Sequence, residues 1–122
     1  QIIGARYPLK PQEIDGVHFE TGVYQHDVDM NIKIADRNHP ITKGLSDFTI
    51  HDETYKGLWF AKDNHVLLTT DNPKNDPTVC WVRPCDHTRI VFLQLGHDGK
   101  AYANPNYREL IVRSIRWAAG RL

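Results

Sequence analysis

At 122 residues the chain suffices for one domain with a real core and is too short for two. Lys plus Arg and Asp plus Glu each number 15, so the formal net charge is zero; with no basic run or aromatic-basic stripe, nucleic acid is not an expected partner. The longest apolar run, Ile90 to Leu95, is broken by Gln94 and falls far short of the roughly 20 residues that cross a bilayer, so membrane insertion is not expected.

The chain opens at Gln1 with no initiator Met and no charged-then-apolar leader, so it reads as processed or excised. A soluble location, cytoplasmic or exported, fits equally. Residues 1–30 are interrupted by Pro8, Pro11, Gly16 and Gly22 and read as an irregular lead segment. Asn31 to Asp36 alternates polar and apolar residues, the pattern of a half-buried strand. Asn38 to Leu45 reads as a structured loop, because Pro40 pushes His39 out of the helical region.

Phe48 to His51 is read as a short strand, with Asp52-Glu53-Thr54-Tyr55 just beyond its end. Gly57 to Phe60 carries a weak strand pattern, and His65 to Thr70 reads as a buried strand. After a polar turn, Asp71 to Pro77, the segments Thr78–Arg83 and Arg89–Leu95 form a hairpin around Pro84 to Thr88. Ile90 to Leu93 is apolar on both faces, which predicts a strand in the middle of a covered sheet. Cys80 and Cys85 either bridge a tight turn or stand free as one strand and one turn cysteine.

The last element is a helix. Asn104 is its expected cap and Pro105 its first residue. Tyr107, Leu110, Ile111, Ser114, Ile115 and Ala118 line up as one apolar-to-small stripe, and Gly120 ends the helix.

Histidine is the outlier, with seven residues, four of them beside an aspartate. Neighbours on a strand point to opposite faces, so a His-Asp dipeptide cannot hold one ion, and a site needs histidines from different segments. His97 follows the strand Ile90–Leu95 and the flexible Gly96, where ligands bind in open α/β sheets. There it can act as acid, base or metal ligand, or simply as a loop histidine. Asp52, Glu53 and Tyr55 offer two carboxylates and a phenol, or merely a solvated acidic turn. His26 and His51 join His97 as candidate ligands for zinc or manganese. No G-x-S-x-G elbow, phosphate-cradling loop, H-E-x-x-H helix or C-x-x-C pair is present.

Taken together, these segments resemble a known family. His39-Pro40-Ile41-Thr42-Lys43-Gly44-Leu45 is similar to the H-P-I-T-x-G-L segment of ThuA-like (trehalose utilisation) proteins, and Asp52-Glu53-x-Tyr55 to the D-E-x-Y after it. Val91 to Asp98 resembles the strand closing in L-G-H-D, and Ala101-Tyr102 through Trp117-Ala118 resembles the helix that follows. The likeness covers most of residues 31–120; at the hairpin turn Cys85-Asp86-His87-Thr88-Arg89 replaces a glycine-rich stretch.

The resemblance implies an α/β fold, a flavodoxin-like sheet flanked by helices like that of class I glutamine amidotransferases. This chain would supply the C-terminal portion of a single domain spanning 1–122, incomplete on its N-terminal side. It implies a carbohydrate-metabolism enzyme acting on a disaccharide or an oxidised keto sugar, without glutaminase activity, since the nucleophilic cysteine belongs to the first half of that fold. His97, Asp52 and Glu53 are the expected catalytic residues. Tyr55, Asp98 and Tyr102 are expected to touch substrate. The alternative is a non-catalytic module that binds sugar or protein. Further expected partners are an N-terminal half, other domains, or a second copy of the chain.

Overall fold

The computed structural model describes residues 2–122. In chain order the elements are β1 (Ala5–Arg6), β2 (Gln12–Ile14), β3 (Val17–Phe19), β4 (Val23–Ile34), β5 (Phe48–Lys56), β6 (Trp59–Phe60), β7 (His65–Thr70), β8 (Thr78–Cys85), β9 (Thr88–Leu93), α1 (Gly99–Ala103) and α2 (Pro105–Ala118). Five strands form one sheet in the order β5-β4-β7-β8-β9, and every ladder among the described residues is antiparallel. The architecture is thus a sheet-dominated domain whose sheet ends in the β8–β9 hairpin, followed by a long terminal helix.

Four sequence expectations change here. The lead segment is not irregular: β2 and β3 pair as a hairpin turned at Asp15-Gly16, both at positive φ. Asp-Gly between Ile14 and Val17 is the sequence form of such a turn. Strand β4 begins at Val23, well before Asn31, and its inward positions Val28, Met30, Ile32 and Ile34 are all buried. Next, Asp52 to Tyr55 lie inside β5 rather than beyond a strand end. Their acidity reads as a turn, but buried partners satisfy much of it and the ladder continues.

The fourth correction concerns β9, an edge strand rather than a central one. Its two-sided apolar pattern has another cause. Val91 and Leu93 pack against the main core, while Phe92 stacks on Trp81 with ring centroids 4.1 Å apart. Both faces are covered although one edge is open.

The hairpin forms as expected, but the ladder runs on through Pro84 and Cys85, and Asp86 takes a positive φ in the turn. Both cysteines lie in β8 and are free; burial pushes the Cys80 thiol up to about 12. Asn104 caps α2 by accepting from the Asn106 and Tyr107 N–H groups, with Pro105 in the first turn. Of the expected stripe only Leu110 and Ser114 are buried, and Ile115 is 64% exposed. Trp117 packs on the core instead.

Trp81 ties the lead segment to the sheet. It is fully buried, meets Phe60 edge-on, and its indole N–H donates to the Ile3 carbonyl at 2.9 Å. Trp81→Ala is expected to cost about 3–5 kcal/mol in chemical denaturation, the range for an emptied aromatic site.

Candidate functional site

The site begins with an irregularity in the ladder between β4 and β5. Gln25 pairs with Thr54 and Val28 with Asp52, so His26 and Asp27 together oppose the single residue Glu53. This is a β-bulge, and Asp27 absorbs it at φ +56°. Bulges re-aim side chains, and here the result is that His26 meets Glu53. The two side chains approach to 3.3 Å, Nδ1 to Oε2.

The third member arrives from the far end of the sequence. His97 Nδ1 also contacts Glu53 Oε2, and the His26 and His97 rings lie 4.7 Å apart between centroids. Among the described residues, His26, Glu53 and His97 are the group whose donor atoms converge, all within 4.8 Å, so they could hold a metal ion. The Glu53 side chain is 6% exposed, against 52% for His26 and 38% for His97. The carboxylate therefore sits under two imidazoles that face solvent. Its Oε2 is buried and has no hydrogen-bond partner among the described residues, although both Nδ1 atoms lie close to it.

Asp52 fixes the third arm. Its Oδ2 accepts from the Gly96 N–H at 2.7 Å, and its Oδ1 accepts from the N–H groups of His97 at 2.9 Å and Glu53 at 2.8 Å. With both oxygens spent on backbone donors, this buried carboxylate holds the His97 loop in place. Gly96 is required there for two reasons. Its φ is +109°, and a Cβ would collide with the Tyr107 hydroxyl.

Tyr55, two residues beyond Glu53, has its phenol pushed up to about 12, first by burial, then by the charge of Glu53 and a hydrogen bond to it. Tyr7 stands edge-on to Tyr55 at 6.1 Å, and Tyr24 edge-on to His26 at 5.4 Å. A hollow of about 240 Å³ is lined by Tyr7, Tyr55, Leu58, Phe92, Leu93 and Gln94. The larger hollow, about 630 Å³ and bordered by Trp59, Asp63 and Arg83, has none of the converging residues in its wall.

The remaining expected residues fall elsewhere. Asp98 caps α1, accepting from the Lys100 and Ala101 N–H groups. Tyr102 is 49% exposed on α1 with its ring 5.8 Å from that of Tyr107. His51 is not brought to His26 and His97. Its Nδ1 lies 2.7 Å from Asp29 and its Nε2 3.1 Å from Asp27, which also accepts from Lys100 at 3.1 Å.

Hydrogen bonds to Asp27 and then Asp29 hold the His51 imidazole above its ordinary value, and the same contact with His51, then Lys100, holds Asp27 below its own. Stability from a raised histidine is complete below its unfolded value, about pH 6.5, and fades as pH rises through the folded one. Asp27 contributes above about pH 4 and loses that as pH falls through its depressed value. The melting-temperature gap between wild type and His51→Gln is thus expected to be widest between these limits and to shrink toward pH 8.5.

Sequence reading missed Asn75. It is buried in the polar turn after β7, accepts from Tyr55 N–H and the Gln94 amide at 2.7 Å each, and so joins the end of β5 to the chain leaving β9. Only its position in an Asn- and Asp-rich turn hinted at this.

An antiparallel sheet carrying a buried glutamate beneath two histidines defines a compact α and β domain with a solvent-facing polar centre. A family model described as ThuA, trehalose utilisation, matches residues 1–118, and the chain belongs to that family. In fold it is similar to a ThuA-like protein from Parabacteroides merdae ATCC 43184, with TM-score 0.71 and 19% identity over 93% of this chain and 48% of that one. A ThuA-like protein from Bacteroides uniformis ATCC 8492 gives TM-score 0.63 and 20% identity over 82% of this chain and 46% of that one. The chain thus spans about half the length of these neighbours. No curated protein matches it. No helix among the described residues is long and apolar enough to cross a membrane.

Proposed function

We propose that this domain transforms a sugar, either a disaccharide or an oxidised keto sugar, at the site formed by His26, Glu53 and His97. One observation carries the reading: a buried carboxylate shared by two imidazoles that come from segments about seventy residues apart in sequence and face solvent. The family's description as trehalose utilisation supports a carbohydrate as the substrate class.

In this reading His97 moves the proton. Imidazole exchanges protons near neutral pH, and contact with Glu53 through Nδ1 orients the ring. Nε2 is left to meet a sugar hydroxyl or the proton beside a sugar carbonyl. Tyr55, with its phenol near 12, stays a hydrogen-bond donor at neutral pH. Asp52 is a positioning residue. The flavodoxin-like arrangement belongs to the same proposal, with its remaining strands supplied by sequence outside these residues. Glutaminase chemistry is not part of it: Cys80 is buried with a raised thiol, the opposite of what a thiolate nucleophile needs, and Cys85, at the end of β8, is outside the group formed by His26, Glu53 and His97.

The test is incubation with a panel of disaccharides and their keto forms, following both binding and product. Product that disappears in His97→Ala supports the proposal. Saturable binding with no turnover of any sugar replaces it with the binding-module reading.

A further inference from the structure

We propose that His26, Glu53 and His97 bind one divalent transition-metal ion, zinc first among the candidates. The inference takes its site from the proposed function but not its chemistry, because an ion can be measured with no sugar present.

The first argument is spacing. Zinc binds imidazole nitrogen and carboxylate oxygen at roughly 2.0–2.2 Å, so two donors on a tetrahedral ion stand about 3.3–3.5 Å apart. His26 Nδ1 and Glu53 Oε2 are 3.3 Å apart, which matches, and all three donor atoms lie within 4.8 Å of one another; His97 Nδ1 stands closer to Glu53 Oε2 than that spacing, so its ring must swing outward to admit an ion. A small rotation of the two exposed rings gives an ion its place.

The second argument is the unspent oxygen. Buried polar atoms are nearly always hydrogen-bonded, and a buried carboxylate oxygen without such a bond carries a desolvation cost. Glu53 Oε2 is such an atom, and it is turned toward both Nδ1 atoms. A cation between the three groups removes that cost.

The third argument is selectivity within the protein. Two other histidine-carboxylate clusters, His51 with Asp27 and Asp29 and His18 with Glu13 and Glu20, already spend both ring nitrogens on carboxylates. Asp52 spends both oxygens on backbone donors. Two imidazoles and one carboxylate suit zinc or manganese and leave a coordination position on the solvent side. A bound ion would supply Lewis acidity to a sugar carbonyl or to a bound water.

The experiment strips the purified protein of metal and titrates it with zinc alone, reading heat and melting temperature, with circular dichroism to confirm folding. We expect one ion per chain and a higher melting temperature. Glu53→Gln, His97→Ala and His26→Ala should each weaken binding by at least the roughly 10–100-fold that loss of an outer partner costs. His51→Ala should bind as the wild type does. No binding by the folded wild type overturns the proposal, as does equal binding by Glu53→Gln and His97→Ala. Sugar turnover without zinc binding sinks the ion and leaves the proposed function standing. Zinc binding without turnover of any sugar supports the ion and removes the proposed function.

Discussion

Alanine in place of His97 is expected to lower sugar turnover by roughly 10²–10⁴-fold, the usual contribution of a positioned acid-base group. The fold should barely respond. The ring is 38% exposed and meets Glu53 and His26 rather than the apolar core, so about 1 kcal/mol or less is at stake. Activity on the responsive sugar and thermal melting on one preparation decide the matter. A collapse of both together would make His97 structural and withdraw its chemical role.

Asp52→Ala should behave in the opposite manner, losing stability and activity at once. Three backbone N–H groups, of Glu53, Gly96 and His97, lose a charged acceptor inside the protein. Hydrogen bonds to charged groups contribute about 1.5–3 kcal/mol each and are not additive, so a total near 3–5 kcal/mol is expected in urea denaturation. The same loss frees the loop that carries His97, so turnover falls even at temperatures where the protein stays folded. Asp52→Asn, which keeps an acceptor at one oxygen, should recover part of the stability. A melt unchanged by Asp52→Ala would mean that the loop is held by something else.

Much of the scaffold was legible in the sequence because it obeys simple periods. The hairpin of β8 and β9, the buried strand β7 and the capped helix α2 each follow from alternation, a turn cluster or an Asn-Pro start. The early half of β4 was hidden for a physical reason: residues 23–27 are exposed, so no apolar alternation marks them. The Asp52 to Tyr55 stretch misled in the other direction, since buried acids resemble solvated ones until their partners are seen. His97, Glu53 and His26 were all named among the candidates, but their convergence was not readable. It depends on a two-against-one register in one ladder and on a loop clamped by Asp52, neither of which leaves a local signature. Asp98 was expected at the substrate and is found with its carboxylate on the α1 cap, a role that Asp-x-x before a short helix could equally have suggested.

The bulge at His26 and Asp27 makes the site a matter of counting as well as of chemistry. In a strand the side-chain period is two, so an extra residue exchanges the two faces unless something absorbs it. Here the bulge absorbs it: Asp27, at positive φ, lets Gln25 pair with Thr54 and Val28 with Asp52 on either side of Glu53. Without Asp27 the ladder would run Gln25–Thr54, His26–Glu53, Val28–Asp52 unbroken, so His26 would still oppose Glu53 and only the local kink that aims its ring would go. The extra residue thus sets the angle at which a ligand is offered rather than whether it is offered.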